Sequence, residues 1–321
     1  MDNLVATLNA IGESTRLRIL ALCDRSELSV SELQQVLSQS QPRISRHLRI
    51  LNDAGLLNRR REGAWTFYRM RHGGEQAQLA RDIIAHLPEN DPAVKGDLER
   101  LGQVKETRRQ AAEQYFRANA GRWDEIRAMH ADAGIIERRL LELVPTTPTT
   151  RLVDIGTGTG RILQIFAPRI AYGLGIDLSH EMLTVARVNL DDPCFANCEV
   201  QQGDMYRLPC RDGKFDIAVV YMVLHYAEHP GEVIEEAARV LRPGGRLVIV
   251  DFAPHENQAL REEHAHRWSG FSDEAIAGHF AAAGLVPATS QAIAEGRLTV
   301  CIWSAERAAS VTALVSEGTT A

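Results

Sequence analysis

The sequence predicts two folds in series: a small basic α+β head, then a larger α/β body whose mainly parallel sheet is wound on both faces. Three observations carry this. Residues 1–72 hold eleven arginines and no lysine against seven carboxylates, a net +4 on a chain of −6, which leaves −10 for the remainder. Within them, S-Q-S-Q-P-R-I-S-R-H-L-R-I-L (38–51) has the periodicity of a helix with an apolar and a basic face. Far downstream, V-D-I-G-T-G-T-G (153–160) reads as a strand ending in a glycine-rich turn, and strands then alternate with helical segments. At 321 residues the chain accommodates two domains, and 45% apolar with 24% charged residues is ordinary for a globular protein. No apolar run is long enough for a membrane span. The first ten residues lack the basic and apolar regions of a secretion signal, and five scattered cysteines form no disulfide framework, so a cytoplasmic location is expected.

In the head, residues 3–23 show apolar residues at helical spacing, broken at Gly12 and restarted with Ser14 as the expected N-cap. Ser29 opens S-V-S-E-L-Q-Q-V-L, a capping serine with a glutamate three residues on. The next helix starts at Ser38–Gln41 with Pro42 in its first turn, where a missing N–H costs nothing, and stops at Gly55. On it Ile44, Leu48 and Leu51 share one face, and Arg43, Arg46 and Arg49 lie at three-residue spacing on another. That division suits a recognition helix. Its polar start, Ser40 and Gln41, with Ser45 and His47 further along, is placed to meet base edges or phosphate. L-L-N-R-R-R-E-G-A-W-T-F-Y-R-M follows, two β-prone segments flanking Glu62-Gly63, so Arg59, Arg60 and Arg61 form the basic tip of a hairpin wing.

Over residues 1–72, and above all in S-Q-P-R-I-S-R-H-L-R-I-L-x-x-A-G-L-L, the head resembles the ArsR family of winged-helix repressors. The resemblance implies a homodimer on a palindromic double-stranded operator. Metal-sensing members carry cysteines before the recognition helix, or carboxylate and histidine pairs on the terminal helix. Here 29–37 has neither Cys nor His and Cys23 stands alone, so no metal is expected.

Residues 73–110 are read as a helical linker or dimer contact. P-E-N-D-P (88–92) interrupts them, and K-G-D-L-E-R-L-G-Q-V-K-E-T-R-R-Q reads as an exposed charged helix. Residues 112–127, with Tyr115, Phe116 and Trp123, resemble the leading helix that lids the cofactor site in many small-molecule methyltransferases.

In the body (111–308, with 309–321 expected as a disordered tail), the glycines of 156–160 let backbone approach a ligand closely. A second strand, A-Y-G-L-G-I-D-L-S, ends at Asp177, where an acidic side chain can accept both ribose hydroxyls of an adenosine. Q-G-D-M (202–205), the buried strand K-F-D-I-A-V-V-Y and the turn-and-strand L-R-P-G-G-R-L-V-I-V-D-F follow. In that order the segments resemble class I S-adenosylmethionine (SAM)-dependent methyltransferases, a Rossmann-like doubly wound fold, over about 111–305. By that resemblance Asp154, Gly156, Thr157, Gly158 and Gly160 surround the methionine moiety and Asp177 binds ribose. Leu178 and Met182 lie beside adenine, Asp204 accepts from its amino group, and Met205, Tyr221 and Tyr115 complete the set. A dinucleotide site is the alternative, but Q-G-D-M and the Pro-Gly-Gly turn do not belong to it.

Methyl transfer is an in-line displacement in which positioning supplies much of the rate, so a base is optional. His225, in V-L-H-Y-A-E-H-P, is the candidate. His264 and His266 sit two apart on a helical pattern, which points them away from each other and argues against a metal pair. The spacing of Cys194, Cys198 and Cys210 does not match the thiols of arsenite methyltransferases. An ArsR-type head on a methyltransferase-like body further resembles S-adenosylhomocysteine (SAH)-responsive repressors of methionine-cycle genes. Three functions stay open: a SAH- or SAM-responsive regulator, a methyltransferase with an autoregulatory head, and a regulator that methylates its own inducer.

Overall fold

The computed structural model describes residues 2–62, 65–71, 73–88, 90–108, 110, 133–256, 267–294 and 298–308. Tyr115, the segment 112–127, His264, His266 and residues 309–321 lie outside them. By contact, the described residues form two compact units. The first holds everything up to residue 110 together with 157–168 and 172–204; the second holds 133–156, 169–171 and the rest from 205 onward.

The head opens with α1 (Asp2–Ile11) and α2 (Ser14–Arg25). Ser14 is already inside α2. The cap is Glu13, whose carboxylate accepts from the Arg16 N–H at 3.0 Å, because its longer side chain reaches back over the first turn. After β1 (Leu28–Ser29), α3 (Val30–Leu37) starts with the expected reciprocal box between Ser29 and Glu32. The recognition helix α4 (Gln41–Asp53) begins with Pro42 in its first turn. β2 (Leu57–Glu62) and β3 (Trp65–Met70) pair antiparallel as the wing, and β1 adds to β3. Ile44, Leu48 and Leu51 are wholly buried in the core of this domain. Each such side chain contributes about 1.5–3 kcal/mol.

That core does not end at residue 72. α5 (Glu75–Ile84) adds Ala80, and a further helix, α6 (92–108), adds Leu101 and Val104. The exposed charged helix expected here is therefore half right. Asp97, Leu101 and Val104 follow the i, i+4, i+7 rhythm of one face and are buried, while the charges between them line the other. Asp97 takes a two-pronged hydrogen bond from Arg18 of α2, which ties α6 to the head.

The body contains α7 (Ala133–Leu143), β4 (Arg151–Ile155), α8 (Arg161–Phe166), β5 (Tyr172–Asp177), α9 (His180–Asn189) and β6 (Cys198–Gln202). There follow β7 (Phe215–Tyr221), α10 (Pro230–Val240), β8 (Leu241–Phe252), α11 (Asp273–Ala282), β9 (Leu285–Ile293) and β10 (Val300–Arg307). Its sheet runs β6-β5-β4-β7-β8-β10-β9, mainly parallel, with β10 antiparallel to both neighbours. This is a Rossmann-like, class I methyltransferase architecture.

The expected Pro-Gly-Gly turn appears instead as a bulge within β8. Phe215 pairs with Leu241, then Ile217 with Arg246, so five steps on β8 match two on β7. Residues on both sides of Pro243-Gly244-Gly245 pair with the same strand, so the surplus loops out without ending it.

Candidate functional site

On α4, expected as the recognition helix, the structure divides the side chains as their spacing requires. Ser40, Gln41, Arg43, Ser45, Arg46 and Arg49 are exposed, opposite the buried apolar row. Ser40 is the N-cap by position, yet its side chain makes no capping bond, which leaves the hydroxyl available for an outside partner. His47 is turned inward, 3.5 Å from the Glu13 carboxylate, and burial lowers its pKa. It is not among the outward-facing set.

In the wing, strand alternation separates the three arginines. Arg59 and Arg61 are exposed, whereas Arg60, on the opposite face with Asn58, is turned into the same unit's β5–β6 region. Its guanidinium pairs with Glu199, lies 3.6 Å from Glu27, and donates to the Tyr172 hydroxyl at 2.9 Å and the Val200 carbonyl at 3.2 Å. Tyr172 in turn donates to Glu199, and Asn58 reaches the same carboxylate at 3.1 Å. Arg187 of α9 donates to Glu27 at 2.8 Å. Burial on its own would push the Glu27 carboxyl up, but the Arg187 and Arg60 guanidiniums outweigh it and hold the group below the usual carboxylate range. At the wing tip, Trp65 stacks on His180 with centroids 4.2 Å apart and planes 6° from parallel. Sequence reasoning missed this whole contact. The only hint in the sequence was a tryptophan just past the expected hairpin turn, because the partners are brought together from more than a hundred residues away.

In the first unit the residue expected to bind ribose, Asp177, is the last residue of β5. One carboxylate oxygen accepts from the Gly158 N–H at 2.8 Å, the other from the Ser179 N–H at 2.9 Å. A carboxylate has about four acceptor sites, more than these two donors fill, and two vicinal hydroxyls need two acceptors. Burial raises the Asp177 pKa, partly offset by those backbone donors. The next residue, Leu178, is 70% exposed, an apolar face set beside the carboxylate. A Cβ at Gly158 would meet nothing within 4 Å, so the turn opens onto free space. These features fit an adenosine-bearing ligand. Met182 donates its backbone N–H to the Ser179 hydroxyl, and Asp204 is exposed one residue past Gly203, whose N–H donates to the Asp177 carbonyl. Thr157 is placed differently. It is buried with its side chain against Gly175, where an added Cβ would stand 2.6 Å from Oγ1, so it braces the turn against β5. Gly160 packs on Ala186 and Leu190 of α9.

In the second unit, Asp154 is buried at the end of β4, and Gly156 at φ +72° faces Val223, whose Cγ2 would be 2.6 Å from an added Cβ. Met205 and Tyr221 are half-buried. His225 is 2% exposed in a short 3₁₀ turn. Its Nδ1 lies 2.8 Å from Asp251 of β8, and its N–H donates to the other carboxylate oxygen at 3.1 Å. Its carbonyl accepts from the Arg267 and Trp268 N–H groups. This arrangement clamps a loop to the end of β8 and gives the imidazole a structural task. Among the described residues, no group of three or more His, Cys, Asp or Glu is arranged to hold a metal, and no helix is long and apolar enough to cross a membrane.

Residues 13–59 match the arsR family of bacterial regulatory proteins, and residues 153–249 match the methyltransferase domain. The ubiquinone/menaquinone biosynthesis C-methyltransferase UbiE of Ruegeria sp. is 32% identical over 126 residues, 38% of this chain and 50% of that protein. The phosphatidylethanolamine N-methyltransferase of Cereibacter sphaeroides is 37% identical over 102 residues, 32% of this chain and 50% of that protein. The chain thus spans about half the length of these relatives. Among solved structures, a chain from the Haloferax volcanii complex of the Trm112 methyltransferase activator with a methyltransferase aligns at a TM-score of 0.51. It is 24% identical and covers 60% of this chain and 96% of that one, a likeness of fold.

Proposed function

The chain joins an arsR-family DNA-binding domain to a methyltransferase domain, and from that premise we propose that it is a transcriptional repressor whose operator affinity is set by SAH or SAM at the Asp177 site. The regulated genes on this reading belong to the methionine and SAM cycle, and the protein binds a palindromic operator as a homodimer.

One observation carries the reading: the ribose carboxylate and the DNA-binding wing are two residues apart in contact terms. Ser179 donates its N–H to Asp177, and the following residue, His180, stacks on Trp65 of the wing. A change at 177–180 therefore acts directly on the hairpin that carries Arg59, Arg60 and Arg61. Coupling of this kind requires only that the ligand prefer one wing position, and it is reciprocal, since DNA then alters ligand affinity equally. About 1.4 kcal/mol of preference moves operator affinity tenfold. When bound, SAM would bring a sulfonium methyl that SAH lacks, so the space around that methyl decides which of the two is the signal. The methyltransferase relatives support the second reading, an active small-molecule methyltransferase with an autoregulatory head. The buried His225–Asp251 pair gives that reading no exposed base.

The test is fluorescence anisotropy of the full chain on duplex DNA from its own upstream region, titrated with SAH and separately with SAM. At least one ligand is expected to shift the isotherm about tenfold or more, and Asp177→Ala to abolish that shift with ligand-free DNA binding intact. If both ligands bind by calorimetry and neither moves the isotherm, the regulator reading falls and the search turns to a methyl acceptor.

A further inference from the structure

The first unit contains a cleft of about 610 Å³ that shares no lining residue with the Asp177 site. It opens between the end of α2, helix α6 and the connection from α9 to β6, over an apolar floor that includes Leu98, Leu101 and Val200. Most cations around it have a carboxylate of their own: Arg81 with Asp24, Lys105 with Asp191 at 3.0 Å, Arg108 with Glu32, Arg187 with Glu27. Arg69 does not. Its Nη1 donates to the Cys198 carbonyl at 2.8 Å, and among the described residues no carboxylate stands within ion-pair distance of it. Burial pulls its pKa below that of an ordinary arginine; the Glu27 carboxylate, beyond ion-pair distance, opposes this in part, and the neighbouring Arg60 charge adds to it. Arg25, at the rim, also has no carboxylate partner among the described residues.

A guanidinium has five N–H donors in a rigid fork and stays charged, so taking it from water with one bond made is costly unless an anion completes the set. A volume of this size falls within the range of small-molecule sites, about 300–1,000 Å³. We propose that this cleft binds a small organic anion, with a carboxylate seated in the Arg69 fork and an apolar frame over the leucine floor. A planar carboxylate matches the fork two bonds at a time, and the floor favours an organic frame over a bare inorganic ion. Glu27 and Glu199, which also hold Arg60, line the same cleft, so an occupant touches the groups that fix the wing.

Isothermal calorimetry of the full chain with sodium benzoate and, separately, inorganic phosphate at constant ionic strength tests this. Benzoate is expected to bind saturably and phosphate about tenfold more weakly or worse. Arg69→Gln should weaken benzoate about tenfold, the loss of a charge-assisted pair. Gly102→Leu provides the second variant. It projects from α6 into the cleft, an added Cβ there meets nothing within 4 Å, and it should block benzoate without Arg69 being touched. Asp177→Ala should leave benzoate binding unchanged, which separates this site from the adenosyl one. The proposal is overturned by no saturable benzoate binding, by binding indifferent to both cleft variants, or by phosphate binding as tightly as benzoate.

Discussion

Glu27 is 8% exposed and lies between the Arg187 and Arg60 guanidiniums, an ion-pair arrangement removed almost wholly from water. Such pairs add little net stability when intact, because desolvation offsets the attraction, but removing one partner leaves a buried charge unanswered. Glu27→Gln is therefore expected to destabilise the first unit by about 3–5 kcal/mol, read as a lower urea midpoint, whereas a surface change such as Glu99→Gln stays within about 0.5 kcal/mol. The pH dependence follows from the same contacts. In Glu27 and Glu32 burial raises the pKa, but Arg187 and Arg60 in the first case, and Arg108 in the second, outweigh it and leave the folded value depressed. A depressed folded value contributes stability that is fully present above the unfolded value of about 4.5 and is lost as pH falls through the folded one. Urea midpoints should accordingly hold between about pH 7 and 5 and fall below that, and Glu27→Gln should flatten the fall. A midpoint that rose on acidification would contradict the assignment.

At the scale of elements, the two capping serines make a controlled pair. Ser29 accepts from the Glu32 N–H while Glu32 reaches back to the Ser29 N–H at 2.7 Å, so Ser29→Ala should cost about 1 kcal/mol in denaturant unfolding. Ser40 caps α4 by position without a side-chain bond, so Ser40→Ala should change stability by only a few tenths of a kcal/mol. It should nevertheless weaken operator binding if its hydroxyl meets DNA; loss of stability with unchanged DNA affinity would reverse that assignment. These starts were legible because capping is local: serine, glutamate three on, proline in the first turn. The apolar row of α4 and the strand-turn-helix around Gly156 were legible for the same reason, as periodicity acts within a few residues. What escaped was set by partners distant in the chain. Nothing near Asp251 marks it as the acceptor for His225, and the bulge at Pro243-Gly244-Gly245 exists only because β7 pairs with residues on both sides of it. The run Arg59-Arg60-Arg61 read as one basic tip, but alternation along β2 sends the middle side chain to the opposite face, where Glu199 waits.

For the whole molecule, the charge division into a positive head and a negative remainder predicts affinity for nucleic acid, but not how many of the arginines face solvent. Arg43, Arg46, Arg49, Arg59 and Arg61 are exposed, and Arg60 is committed to Glu199. One phosphate-neutralising cation changes the slope of log affinity against log salt by about 0.9 on duplex DNA. Glu199→Gln removes the opposing charge and keeps the side chain's shape, so Tyr172 and Asn58 retain a hydrogen-bonding neighbour while Arg60 loses its closest anion. In the absence of ligand, this variant should bind the operator more tightly than the parent, with a slope steeper by about one phosphate contact. Glu199→Gln combined with Arg60→Ala should return the slope to the parent value. Because the wing is then less tied to the β5–β6 region, SAH or SAM should move the isotherm of Glu199→Gln less than that of the parent. Equal slopes in parent and Glu199→Gln would mean that Arg60 never reaches phosphate, and that the wing signals through Trp65 and His180 alone.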